Sequence, residues 1–271
     1  MTTTDPPPLP PPDPAGDAVG EESRMTLREH LEELRSCLIK SAIAVLVLFA
    51  VGLFLKSRLL DVILLPWNMA RESIVAGGGV DPGVLIQIEP AEQIVFVMKV
   101  ALAFALVFGS PVYLGQVWKF IETGLLAHEK KAVGRSFPLA LLMFMSGMVF
   151  GYLVLLPIGL DFMMTVVSED QIASGVTVSN YFGLLVSLTL LLGAVFELPL
   201  LMWVAVRIGV IERKTLASSR RVAVVCMLVF SSLMTPPDII TQLLVSGPMI
   251  VLYELGLLMA RKAESARDVE I

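Results

Sequence analysis

Six long apolar runs constrain this chain more than any other feature, at about 37–56, 94–118, 136–158, 181–206, 222–234 and 239–260. The first four have the roughly 20 residues that a bilayer core of ~30 Å requires of a helix. The fifth has only about 13, or near 20 Å at 1.5 Å per residue. Thr235-Pro236-Pro237-Asp238 then turns tightly into the sixth, so this last hairpin is expected to stop short of the far surface and thin the bilayer there. The chain is 56% hydrophobic with a mean hydropathy of +0.80, against about 45–50% apolar for a soluble domain. The expected fold is therefore an all-α membrane protein of six transmembrane helices with a short last hairpin.

The basic residues orient it. With the N-terminus inside, sixteen Lys and Arg fall in cytoplasmic segments, and only Lys56, Arg58 and Arg71 fall outside. This bias predicts that both termini are cytoplasmic. The net charge of −5 says little, because the charges are segregated. Cys37 and Cys226 both lie in apolar runs and read as small core residues, not as a disulfide scaffold. The N-terminus has no basic region followed by a short apolar core, so no cleaved signal peptide is expected.

Three regions follow. Residues 1–24 are Pro-rich and polar, and should form a disordered tail with polyproline bias; a PxxP ligand is the alternative. Residues 25–262 form the six-helix membrane domain, and 263–271 a flexible C-terminal tail. The domain opens with an amphipathic piece, where Thr26 and Glu29 fit a capping box and Leu27, Leu31 and Leu34 recur at helical spacing. The first external loop, about 57–93, contains Gly77-Gly78-Gly79 and Asp81-Pro82-Gly83 and reads as a turn-rich cap. Pro111, Pro199 and Pro248 lie inside apolar runs. Each is expected to kink its helix, making the bundle concave. Gly147 and Gly151 form a small-xxx-small pair suited to a close helix contact.

Glu197, near the middle of the fourth run, is too costly to face lipid. It is either a structural carboxyl bonded to a neighbouring helix or part of a functional cavity or subunit contact. Lys99 either snorkels outward or pairs with an acid across the bundle. Glu254 suits a structural or interface role. Gln242, one turn after Asp238, makes a polar patch with it, unless Asp238 simply caps the last helix. Glu33 and Arg35, in His30-Leu31-Glu32-Glu33-Leu34-Arg35, do not face each other on a helix; spacing alone reads them as solvated charges. His128 and Glu129, before Lys130 and Lys131, read alone as a solvated loop.

Enzyme signatures are missing. His30 and His128 are the only histidines, too few for most metal clusters, and there is no HExxH, Gly-x-Ser-x-Gly or P-loop motif. No cofactor is expected. Orientation explains the basic residues, so nucleic acid is not implied. No internal repeat supports an inverted-repeat transporter.

Taken in order, the motifs are specific. They are HLEELR at 30–35, Pro66, Ser110-Pro111 with Gln116-Val117-Trp118-Lys119-Phe120, His128-Glu129, Phe196-Glu197-Leu198-Pro199, and Thr235-Pro236-Pro237-Asp238 with Gln242. From about Thr26 to Arg261 the chain resembles TatC, the multispanning core subunit of the twin-arginine protein translocase. The resemblance implies a non-enzymatic receptor in the bacterial cytoplasmic (inner) membrane. Such a receptor binds twin-arginine signal peptides of folded cargo, assembles with TatA- and TatB-type single-span subunits into an oligomeric complex, and works with the proton-motive force. It assigns signal-peptide binding to Glu33 and Glu129, with Arg35, Phe120 and His128 nearby. It makes Glu197 an intramembrane acid lining the concave face, and ties Pro66, Asp238 and Gln242 to periplasmic-side function or assembly. Ser36 and Cys37 stand where many members carry further basic residues, and Lys130 and Lys131 where Arg is common. The competing readings are a solute or ion carrier using Lys99, Glu197 and Glu254, and an intramembrane enzyme.

Overall fold

The computed structural model describes residues 27–86, 92–125, 127–167, 176–234 and 239–270. The first helix, α1 (Leu27–Phe54), carries the amphipathic piece straight into the first apolar run without a break. After a one-residue turn at Leu55 comes α2 (Lys56–Ala76), which packs chiefly against α5. Then come α3 (Glu92–Thr123) and α4 (Ala127–Phe150), a π-helical turn (Gly151–Leu155) and α5 (Leu156–Val167). They are followed by α6 (Val178–Phe196), α7 (Leu198–Arg207), α8 (Arg213–Ser218), α9 (Arg220–Met234) and α10 (Ile239–Glu270).

Among the described residues five stretches are long and apolar enough to cross a membrane: His30–Phe54, Gln93–Thr123, Val133–Thr165, Val178–Arg207 and Ile239–Ser265. The protein is all-helical and multi-pass. Helix α9 has 15 residues, about 22 Å at 1.5 Å each, which matches the short fifth run read from sequence. The turn 235–238 lies outside the described residues, as do Thr26 of the expected capping box and the tail 1–24. Helix α10 continues to Glu270 through the region read as a C-terminal tail, and Ala263 is buried beside Val206 and Ala260.

The cap expected over 57–93 is only partly loop. Its first half is α2, whose Ile63, Trp67, Ala70 and Ile74 recur every three or four residues and are buried. This apolar stripe at helical period docks the segment as an amphipathic helix, which outweighs the helix-breaking Pro66 inside it. Pro66 has no N–H, so the Val62 carbonyl, four residues back, loses its helical donor. The Tyr152 hydroxyl, from the π-helical turn, donates to that carbonyl. One residue on, the buried Tyr181 hydroxyl of α6 donates to the Ile63 carbonyl at 2.5 Å, and its ring meets Trp67 edge-on at 5.8 Å. Two tyrosines thus clasp the proline-opened helix to the bundle.

The second half of the cap is turn, as the glycines predict. Asp81 takes a two-point contact from Arg71 at 2.6 and 2.5 Å and accepts the Gly83 N–H at 2.9 Å. Gly83 itself has φ +75°, a conformation other residues resist. The Arg71 guanidinium holds the Asp81 carboxyl down at about 2. Ile86 then pairs with the backbone on either side of Thr177, whose side chain caps α6. Ser73 reaches Asp161 of α5 at 2.9 Å.

Helix α1 packs along α3, α4 against α6, and α7 against α10. The expected Gly147–Gly151 contact is real and joins α4 to α6. A Cβ on Gly147 would lie 2.5 Å from the Leu192 carbonyl, and one on Gly151 would lie 3.3 Å from that of Leu188. Proline placement needs one correction. Pro111 and Pro248 lie within α3 and α10, but Pro199 sits in the first turn of α7. There its missing N–H is no loss, and the run breaks at Glu197, whose N–H turns to the Ala194 carbonyl at 3.2 Å.

Candidate functional site

The N-terminal turns of α1 meet the C-terminal end of α3. This contact brings together two of the sequence motifs. Glu33 Oε1 lies 2.7 Å from Lys119 Nζ. The His30 and Phe120 rings are 4.4 Å apart. Cys37, buried one turn after Glu33, directs its thiol at the same carboxylate oxygen at 3.9 Å. Between Lys119 and the next helix, the buried Trp118 indole donates to the Val133 carbonyl at 3.0 Å. This bond fixes the end of α3 against the start of α4. The result is a polar shelf on which Glu33 is about a quarter exposed, over an apolar base of Trp118, Leu125 and Val133.

Arg35, two residues after Glu33, is exposed, as their helical separation requires. The backbone of His128 and Glu129 lies in the first turn of α4, one turn before Val133. Their side chains fall outside the described residues, so the structure places Glu33, Phe120 and His30 together and gives only the backbone position of the other pair. Reading the sequence missed Lys119 as the partner of Glu33. The two are 86 positions apart, and only the packing of α1 on α3 joins them; the one available signal was the adjacency of Lys119 to Phe120 in the same motif.

The second candidate region lies in the bundle. Glu197 is 5% exposed at the α6–α7 break. Neither carboxylate oxygen completes a hydrogen bond, although the Phe144 backbone is within electrostatic reach. Among the described residues no side chain bonds Glu197, and the polar group of a neighbouring helix that reaches it is the Phe144 backbone of α4. Thr189, two turns before it on α6, is buried with its hydroxyl likewise unpartnered. Pro66 is buried in α2 as described. Gln242 donates to the Leu228 carbonyl at 2.9 Å and so ties α10 back to α9; Asp238 lies outside the described residues.

The remaining intramembrane charges are separately engaged. Lys99 donates to Ser179 at 3.3 Å. Glu254 pairs with Arg220 at 2.9 Å, beside Tyr253, whose hydroxyl donates to Leu216. These contacts pin α8 and α9 to α10. Among the described residues no hydrogen bond or ion pair joins Lys99, Glu197 and Glu254 to one another. Among the described residues no three His, Cys, Asp or Glu side chains cluster as metal ligands.

Comparison with known proteins gives the family. The family described as "Sec-independent protein translocase protein (TatC)" matches residues 29–248. TatCy of Bacillus subtilis is 30% identical over 242 residues, 89% of this chain and 91% of that protein. TatC of Campylobacter jejuni is 32% identical over 240 residues, 89% of this chain and 95% of that protein. A crystal structure of the twin arginine translocase receptor TatC superposes with a TM-score of 0.74 at 30% identity, covering 86% of this chain and 99% of that one. Helix order, motif order and these matches converge, and the chain belongs to the TatC family of Sec-independent protein translocase proteins.

Proposed function

We propose that this chain is the receptor subunit of a Sec-independent export complex. It binds twin-arginine signal peptides of folded proteins at the cytoplasmic membrane face and, as a receptor and not an enzyme, nucleates assembly with TatA- and TatB-type single-span subunits. The proton-motive force then drives export. The observation that carries the reading is Glu33: a partly exposed carboxylate that already holds a cation at 2.7 Å, on a shelf built by α1 and α3. A guanidinium presents a rigid donor fork matched to a carboxylate, and such charge-assisted pairs are the strong ones. Glu129, in the first turn of α4, supplies the second acid for the second arginine.

The charge bias supports a topology with both termini cytoplasmic and six membrane segments, α9 being the short one. It fits the inner membrane, with a tail at 1–24 ahead of the membrane domain that begins near residue 25. Glu197, buried at the α6–α7 break, serves as an intramembrane cavity or partner contact, and Pro66, Asp238 and Gln242 support the periplasmic-side assembly.

The test is binding of a fluorescent twin-arginine signal peptide to the full chain in nanodiscs. A hydrogen bond to a charged group contributes about 1.5–3 kcal/mol, so Glu33→Gln or Glu129→Gln should weaken binding roughly 10- to 100-fold. Unchanged affinity in both variants overturns the assignment.

A further inference from the structure

Glu33 is not vacant. Lys119 occupies it at 2.7 Å, and the neighbours of Lys119 explain why it does so. Trp118 is buried and bonded to Val133, and Phe120 lies against His30. The backbone at 118–120 is therefore held on both sides, and the lysine stem is aimed across the α1–α3 groove at one carboxylate. Its own side chain is about half exposed, and among the described residues the Glu33 carboxylate is what pairs with it.

We propose that Lys119 is an internal competitor for the receptor carboxylate. It fills Glu33 in the empty protein, and a cationic ligand binds only by exchanging with it. This rests on the reading that Glu33 receives a cargo arginine. Its consequence is a threshold. An internal competitor divides the apparent affinity of every ligand by the same factor, since only the unpaired fraction is competent to bind. The preference for arginine over lysine is set by the fork geometry at Glu33; Lys119 decides how strong a cation must be to register at all. Weak single-point ligands, such as the lysine-rich segments abundant at a cytoplasmic membrane face, fall below that threshold. A guanidinium gripping both oxygens passes it.

The experiment measures the affinity of the full chain in nanodiscs for twin-arginine and twin-lysine forms of one signal peptide. An exposed ion pair of the usual strength predicts that Lys119→Gln tightens both peptides by about two- to sixfold, in parallel, leaving their ratio unchanged. Lys119→Arg keeps the charge but competes with a fork of its own, and weakens both. On a Glu33→Gln background Lys119→Gln has no tightening effect, because the pair is already gone. The inference is overturned if Lys119→Gln leaves affinity unchanged or weakens it, if Lys119→Arg equals the parent, or if the tightening persists without Glu33; the last two outcomes make Lys119 only one more surface charge. Should the parent protein fail to prefer the twin-arginine peptide, the receptor reading falls first and this inference with it. A normal parent preference with unmoved Lys119 variants removes the inference alone.

Discussion

Tyr181→Phe is the sharpest probe of how the proline-bearing cap helix is held. The substitution deletes one oxygen and keeps the ring, so the edge contact with Trp67 at 5.8 Å survives. What is lost is the bond to the Ile63 carbonyl, at a residue that is itself buried. Hydrogen bonds inside membrane proteins average about 0.6 kcal/mol and reach about 1.7, and the Ile63 carbonyl keeps the Trp67 N–H of α2 as its helical donor. A loss of roughly 0.5–1.5 kcal/mol is therefore expected. The assay is reversible unfolding in mixed micelles at fixed detergent, read by tryptophan fluorescence. The Tyr152 bond offers an internal check through Pro66. In Pro66→Ala the new N–H can donate to Val62, so Tyr152→Phe should be less damaging there than in the parent, a positive coupling in a double-mutant cycle. A Tyr181→Phe protein as stable as the parent, or additive Pro66 and Tyr152 effects, would refute the clasp.

Three further outcomes are expected. Gly147→Ala should destabilise by about 1–3 kcal/mol through overpacking, since its Cβ would sit 2.5 Å from the Leu192 carbonyl; thermal melting in detergent checks it. Asp81 is held down at about 2 by Arg71. A lowered folded value means its contribution is present above the ordinary carboxylate range near 4 and is lost as pH falls from there toward about 2. Limited acid proteolysis of the 77–86 turn should show that loosening in the parent; Asp81→Asn should be loose already at neutral pH and show no such transition. Glu197→Gln should keep or raise thermal stability, because the carboxylate has no hydrogen-bond partner to lose, while lowering export in cells; a clear loss of stability would mean that the acid is a structural bond.

The spans were legible because hydropathy over twenty residues is a strong signal and lipid leaves the backbone few choices. The short α9 and the Gly147–Gly151 contact were legible for the same reason: length and residue size carry the physics. Helix α2 was not. Its Gly- and Pro-rich end read as a loop, and its buried stripe of Ile63, Trp67, Ala70 and Ile74 signals a helix only to a search for period rather than hydropathy. Pro66 gave no hint that two tyrosines, 86 and 115 positions away in sequence, would bond the Val62 carbonyl that it frees and the Ile63 carbonyl beside it. At the candidate site Glu33 was legible as a member of a motif, but its ion pair was not. Lys119 reaches it only because α1 lies along α3, and no local spacing encodes that.

The most direct test of the central claim is site-specific photocrosslinking in native membranes. A photoreactive residue at Ser36, one turn from Glu33, or at the exposed Lys130, next to Glu129, is offered a twin-arginine signal peptide and its twin-lysine control. Strong crosslinks are expected at both positions with the arginine peptide, lost with the lysine control and lost again when Glu33 is Gln. Equal crosslinks with both peptides, or crosslinks indifferent to Glu33, would contradict it and leave these acids as solvated charges on the membrane face.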